Sequence, residues 1–125
     1  TRAEKATTLS TAPSGVPGVE TLLPLLLGQV TAGAIELERV VAVTAAAPAA
    51  RFGLTDRGRV AVGARADLVV VDLDSVAPID PRTLHARCGW SPFGGHRGVF
   101  PELTLAAGAP VYRRRGDPRR SGGVV

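Results

Sequence analysis

The apolar residues between positions 19 and 30 recur every three or four residues, which is the spacing of one face of a helix. They are Val19, Leu22, Leu23, Leu26, Leu27 and Val30. This pattern predicts a helix over about 19–31. Pro24 fits the first turn of a helix or a kink, so we expect the regular part to start later than Val19. Gly33 is expected to end the segment.

A second helix is predicted over about 36–46. One face of it carries Leu37, Val40, Val41 and Thr44, and the other carries Glu36, Glu38 and Arg39. The two glutamates suit the N-terminal end of a helix, where the helix dipole favours negative charge. Pro48 suits the first position of a further short helix that ends near Gly53.

From Gly58 onward the pattern becomes that of strands. Residues 59–62 alternate between the two faces of a strand, and Gly63 is expected to turn the chain. The continuous apolar run 68–71 predicts a strand that is buried on both faces or covered by a neighbouring domain.

The last third of the chain combines loops with a hairpin. Residues 73–101 are rich in proline and glycine, and we predict that they are mostly loop. Residues 102–107 and 110–113 predict two short strands around Gly108.

Charge is concentrated at the C-terminal end. The chain has 125 residues and a formal net charge of +4, and residues 113–120 hold five arginines against one aspartate. The other charges balance. We expect a solvated basic tail. Nucleic acid is not an expected partner, because no aromatic stacking platform accompanies these arginines.

Cysteine usage and hydropathy indicate a cytoplasmic protein. The single cysteine cannot form an internal disulfide, which fits a reducing compartment. The apolar run 22–27 is too short for a membrane span and contains Pro24, so we expect no membrane association.

Residues 12–18 form a stiff loop ahead of the first helix. Pro13 and Pro17 fix their own φ angles, while Gly15 and Gly18 allow a ligand to approach the backbone closely. Such a loop can present main-chain N–H groups without offering a catalytic side chain. From composition alone, an ordinary loop before a surface helix is the favoured interpretation.

Three residues downstream invite a metal interpretation, namely His85, Cys88 and His96. Zinc needs a compact set of ligands, usually four in a structural site, and this spacing matches no common pattern. We therefore expect structural roles for all three.

Two further features are expected to be structural. Asp67 and Asp72 flank the apolar run, and Asp67 is expected to make a turn or a hydrogen bond to another segment rather than to act as an acid or base. Trp90, Pro92 and Phe93 are expected to pack a loop against the helical part or the strands of the fold, with an oligomer contact as the alternative.

Four segments carry a resemblance that keeps its order along the chain. Residues 12–24 (APSGVPGVETLLP) look like a loop that follows an active-site strand, and residues 47–54 resemble Asn-Pro-Ala-x-x-Phe-Gly-Leu, with Ala47 in place of the Asn. Residues 57–72 carry a motif shared by many amidohydrolases, and residues 87–95 are similar to Lys-Cys-Gly-Trp-[Ser/Thr]-Pro-Phe-x-Gly. On these segments the chain resembles the dihydroorotases, which are zinc-dependent cyclic amidohydrolases.

The resemblance implies an α/β fold, the C-terminal portion of a (β/α)8 metal-dependent hydrolase barrel with strands of a small flanking β-sandwich. Residues 1–56 would hold the last helices of the barrel, residues 57–113 the sandwich strands and a returning loop, and residues 114–125 a basic flexible tail. Residues 1–5 look like the stretch that follows the family's Asp-His-Ala-Pro-His. We therefore expect this chain to be part of a larger enzyme.

The resemblance also implies a function. Dihydroorotases cyclise N-carbamoyl-L-aspartate reversibly to dihydroorotate in pyrimidine biosynthesis, with a binuclear zinc site and an aspartate that moves the proton. Main chain at Pro13, Ser14 and Gly15 would bind the substrate. Ser14 is not an expected nucleophile, because nothing nearby supplies a base. The chain matches none of the catalytic or metal-binding motifs, so alone it is expected to bind no zinc and to be inactive.

Two alternatives stay open. One is a fragment of another cyclic amidohydrolase, such as a hydantoinase or an allantoinase. The other is a non-catalytic dihydroorotase-like module that supports assembly. Expected partners are the small-molecule substrate, the rest of the barrel, and either a second copy of the chain or aspartate carbamoyltransferase.

Overall fold

The computed structural model describes residues 15–114. Its elements, in chain order, are α1 (Leu22–Thr31), α2 (Leu37–Val41), a π-helical turn (Ala42–Ala46), α3 (Ala47–Arg51), β1 (Leu68–Pro78), a 3-10 turn (Pro81–Thr83), β2 (Arg97–Ala106) and β3 (Ala109–Arg113). This is the α/β composition that was predicted. Pro13, Ser14, the stretch 1–5 and the tail 115–125 lie outside the described residues.

Helix α1 confirms the first predicted helix and begins at Leu22. Pro24 lies in its first turn, where the missing N–H has no partner in a helix anyway. Gly33 has a φ of 71°, and the N–H of Ala34 donates to the carbonyl of Gln29 at 2.9 Å. This is a Schellman ending, so the glycine stops the helix as expected.

The second and third predicted helices form one continuous helical segment, and Pro48 lies in the first turn of the short helix α3, as predicted. A π-helical turn, Ala42–Ala46, joins α2 to α3, and the N–H of Ala47 donates to the carbonyl of Ala42. Proline lacks an N–H and crowds the carbonyl four residues earlier. The wider turn immediately before Pro48 accommodates both features without ending the helix.

The sheet has three antiparallel strands in the order β1-β2-β3. Residues 73–101 were predicted as mostly loop, and this is wrong at both ends, because Val76 pairs with Val99 and Ala77 with Gly98. The loop between the strands covers only residues 79–96. The ladder is irregular between Val71 and Val76, which is how a sheet accommodates proline-containing strands.

The segment 59–62 is not a strand, contrary to its alternating pattern. The side chains of Val60 and Val62 are 87% and 109% exposed, and no strand among the described residues pairs with them. Gly63 does turn the chain, since its φ is 83° and the N–H of Ala64 donates to the carbonyl of Ala61 at 3.0 Å.

The predicted hairpin around Gly108 is confirmed. Ala107 and Gly108 have φ angles of 51° and 82°, which suits a two-residue turn between antiparallel strands. An oxygen of Asp67 accepts from the N–H of Ala107 at 2.7 Å, so the expectation of a hydrogen bond to another segment is also confirmed. That bond lowers the pKa of Asp67, as do Arg65 and Arg57.

Helix α1 packs against β2 with very little space between the two backbones. A Cβ on Gly28 would meet the backbone of Arg97, and a Cβ on Gly98 would lie 3.1 Å from the carbonyl oxygen of Pro24. The buried core beside this contact consists of Leu27, Val40 and Val99.

Part of the apolar surface stays uncovered by the described residues. Val69 and Val70 of β1 are 46% and 48% exposed, so residues 15–114 do not bury the run 68–71 on both faces. Among residues 15–114, no helix is long and apolar enough to cross a membrane.

Candidate functional site

The loop ahead of α1, residues 15–21, is the described part of the predicted binding segment. Gly15 is exposed with a φ of 79°, and no atom of another segment lies within 4 Å of the position a Cβ would take. Its backbone is thus accessible in a conformation that disfavours other residues. Gly15 stays a predicted binding residue; Pro13 and Ser14 fall outside the described residues.

The second half of the loop is fixed onto the start of α1. The carbonyl of Gly18 accepts from the N–H of Thr21 at 3.2 Å and from that of Leu22 at 3.0 Å. The Thr21 hydroxyl donates to the same carbonyl at 3.2 Å, and Thr21 is only 1% exposed. The helix therefore holds one end of the loop rigidly.

Glu20 joins this loop to the segment that follows the 3-10 turn. One carboxylate oxygen accepts from the backbone N–H of His85 at 2.8 Å. The other lies 2.8 Å from Nδ1 of the same histidine. Both oxygens of one carboxylate are thus engaged by one residue, 65 positions along the chain.

A cleft of about 380 Å³ lies between the two segments. It is lined by Val16, Pro17, Gly18, Val19, Glu20, Thr21, Leu84 and Ala86. Its walls are largely apolar side chains and backbone, with one carboxylate. Such a cleft can hold a small, flat organic ligand by contact and by main-chain hydrogen bonds. Among the described lining residues the one hydroxyl is that of Thr21, which donates to the carbonyl of Gly18.

The residues that invited a metal interpretation have separate contacts. His85 faces Glu20, the Cys88 thiol lies 3.4 Å from the carbonyl oxygen of Trp90, and the His96 ring meets Phe93 edge-on at 6.3 Å between centroids. Within residues 15–114, no group of three or more His, Cys, Asp or Glu side chains is arranged to hold a metal ion.

Phe93 reaches the loop as well. Its ring lies 3.8 Å from the position that a Cβ on Gly18 would occupy. The residues around Trp90 were expected to pack a loop against the barrel or the sandwich, and the contact of Phe93 with Gly18, in the segment assigned to the barrel, agrees with this expectation.

Sequence reasoning missed the contact between Glu20 and His85. Glu20 lies within the segment that resembles the family loop, and His85 was assigned a loop role. No local pattern connects two residues in different segments, so only the folded chain brings the pair together.

Fold and sequence together define the class. Residues 31–112 match the amidohydrolase family, and the chain belongs to it. A dihydroorotase of Halobacterium salinarum is 55% identical over 112 residues, which is 90% of this chain and 26% of that protein. A dihydroorotase of Methanosarcina acetivorans is 44% identical over 111 residues, 87% of this chain and 24% of that protein. The resemblance to dihydroorotases is confirmed.

A solved structure shares the fold. The L-hydantoinase (dihydropyrimidinase) of Arthrobacter aurescens matches with a TM-score of 0.78 and 35% identity, over 84% of this chain and 24% of its own. The chain therefore spans about a quarter of the length of these relatives.

Proposed function

We propose that this chain forms part of a dihydroorotase, which cyclises N-carbamoyl-L-aspartate reversibly to dihydroorotate in cytoplasmic pyrimidine biosynthesis. The observation that carries the proposal is the 55% identity to a dihydroorotase over 90% of the chain. A hydantoinase is the alternative, because the solved structure that resembles the chain bears that name, at 35% identity.

In this proposal the chain contributes substrate binding, not the reacting groups. Gly15 and the loop to Gly18 present backbone N–H groups beside an apolar cleft, where a small cyclic amide or its open form would be held. Backbone donors suit a carboxylate or a ring carbonyl, and the end of the loop at Gly18 is held by α1 before the ligand arrives.

Zinc belongs to the proposed enzyme but does not fit the described residues, since residues 15–114 offer no cluster of three or more ligating side chains. We therefore derive no step through it from this chain. The metal ligands and the proton-transferring aspartate would lie in the rest of the proposed enzyme.

The rest of a (β/α)8 barrel is the main proposed partner. The exposed valines at 60, 62, 69 and 70 support this, because burying apolar surface of this kind stabilises an assembly by roughly 25 cal/mol per Å². A second copy or aspartate carbamoyltransferase could add further contacts.

Turnover by the full-length protein tests the function. With zinc, we expect conversion of carbamoyl aspartate and dihydroorotate in both directions, and little hydrolysis of substituted hydantoins. A preference for hydantoins would overturn the proposed substrates, carbamoyl aspartate and dihydroorotate, in favour of a hydantoinase. The 125-residue chain alone is expected to show neither turnover nor zinc uptake.

The role of the loop has its own test. Gly15→Ala forces a side chain into a positive-φ position, so we expect KM to rise roughly three- to tenfold through a shifted backbone. Gly33→Ala is the matched control, because Gly33 also has a positive φ with open space around it but lies at the far end of α1. An equal effect of both substitutions on KM would contradict a binding role for Gly15.

A further inference from the structure

Glu20 and His85 hold together the two segments that line the cleft. Val16–Thr21 form one side, and Leu84 and Ala86, the neighbours of His85, contribute to the other. The hydrogen bonds between Glu20 and His85 therefore set the distance between the two sides of the candidate binding site.

Each partner is attached to a rigid element. Glu20 precedes Thr21, which is buried at the start of α1. His85 follows the 3-10 turn, in which Asp80 accepts from the N–H of Arg82 at 3.0 Å. This 3-10 turn comes shortly after Ile79, whose N–H donates to the carbonyl of His96 at 2.8 Å. The pair thus connects the loop to the sheet.

The chemistry of the contact places a proton on Nδ1 of His85. A carboxylate only accepts hydrogen bonds, so Nδ1 is the donor to Glu20, in the neutral Nδ1–H tautomer and in the imidazolium alike. The backbone N–H of His85 supplies the second donor. Two bonds to one residue define an orientation as well as a distance.

The exposure of the Glu20 and His85 side chains indicates that their contact affects the nearby loop more than the stability of the whole fold. The side chain of His85 is 82% exposed and that of Glu20 is 34% exposed, and exposed ion pairs contribute little to the stability of a whole domain. Their effect is therefore expected in the placement of the loop rather than in the unfolding equilibrium.

We propose that Glu20 and His85 are positioning residues, which hold the binding loop against the segment after the 3-10 turn through the Nδ1–H of His85, a role that rests on the proposed function. Neither side chain needs to touch the reacting atoms. Breaking the pair leaves the backbone donors of the loop less well placed, which weakens substrate binding and transition-state binding alike.

Three variants of the full-length protein separate the Nδ1 contact from other histidine roles. His85→Ala removes the ring, whereas His85→Asn keeps an N–H donor near the position of Nδ1 and removes Nε2. His96→Asn is the matched control, because His96 is an exposed histidine of the same loop whose ring contacts Phe93 instead.

For His85→Ala we expect KM to rise roughly tenfold or more, with kcat within about threefold of the unsubstituted protein and an unchanged unfolding midpoint. His85→Asn should recover most of the lost affinity, and His96→Asn should behave like the unsubstituted protein. An unchanged KM in His85→Ala, or equal impairment by the alanine and asparagine variants, would overturn the positioning role.

Two measurements without turnover keep this role distinct from the substrate assignment. Imidazole ¹⁵N chemical shifts should report the Nδ1–H form for His85, and Glu20→Gln should change them. Amide exchange at Thr21 and Leu22, whose N–H groups donate to the carbonyl of Gly18, should accelerate at least roughly fivefold in His85→Ala. If both hold while the unsubstituted protein fails to cyclise carbamoyl aspartate, the pair stands and the proposed substrate is wrong. An Nδ1 without a proton, or unchanged exchange, would refute the pair itself.

Discussion

The Asp80 side chain caps the start of the 3-10 turn Pro81–Thr83. It accepts from the backbone N–H of Arg82 at 3.0 Å, and the Arg82 guanidinium donates to its carboxylate at 2.7 Å. These bonds lower the pKa of Asp80 to about 2, with the side-chain bond as the larger cause. The turn that they fix carries the chain to His85.

We expect Arg82→Gln to raise the pKa of Asp80 towards its ordinary value while leaving it partly lowered, because the backbone N–H still donates. A lowered carboxyl pKa stabilises the folded state above the unfolded pKa of about 3.9, and this contribution is lost as the pH falls towards 2. Carboxyl ¹³C shifts followed through an acid titration measure the change.

Arg87→Gln is the control for this titration, since Arg87 lies in the same loop but is not among the groups that shift the pKa of Asp80. The explanation fails if both substitutions raise the Asp80 pKa equally, or if neither does.

At the scale of elements, the closest contact is that between α1 and β2. Gly28 faces the backbone of Arg97 and Gly98, where a Cβ would lie 3.2 Å from the Arg97 carbonyl carbon and 3.3 Å from the Gly98 Cα. Glycine in a helix interior ordinarily costs stability relative to alanine. Here its small size lets the helix rest directly on the strand.

Gly28→Ala is therefore expected to reduce the free energy of unfolding by roughly 1–3 kcal/mol, the usual cost of overpacking, despite the better helix propensity of alanine. Urea denaturation of the full-length protein measures it. Gln29→Ala, one position along on the exposed side of the same helix, should change stability by less than about 0.5 kcal/mol. A stabilised Gly28→Ala protein would show that the helix and the strand are not in close contact.

Elements defined by local chemistry could be predicted, and those defined by distant partners could not. The Ala107–Gly108 turn and the ending of α1 at Gly33 depend on residues next to each other, and both predictions are confirmed. The extension of β1 to Pro78 depends on pairing with a strand about twenty residues away. Proline and glycine in that region made it look like loop.

The candidate site divides in the same way. The segment around Gly15 was identified because its sequence resembles a loop of the dihydroorotases. The exposed backbone of Gly15 agrees with a role in substrate binding. The partner of Glu20 was not identifiable, because a single glutamate in one segment and a single histidine in another carry no joint pattern. Folding brings them within 2.8 Å of each other.

At the scale of the whole molecule, the strand predicted over residues 59–62 is wrong because it lacks a pairing strand in the described part of the chain, which also leaves its valines uncovered. Residues 59–62 alternate as a strand does, but a strand needs a partner for its backbone groups, and residues 15–114 supply none there. In the proposed function, that partner and the cover for Val69 and Val70 belong to the remainder of the enzyme.

Val62→Glu tests this directly. In the 125-residue chain Val62 is fully exposed, so a charge there should change the unfolding midpoint very little. In the full-length protein we propose that Val62 is covered, so the buried, unpaired carboxylate should lower stability by several kcal/mol.

Ala61→Glu is the matched control, because the alternation places Ala61 on the opposite face. The measurement is thermal unfolding of both variants, each in the 125-residue chain and in the full-length protein. Equal effects of the two substitutions in the full-length protein, or none from Val62→Glu, would show that this face stays in solvent and that the valines have no covering partner.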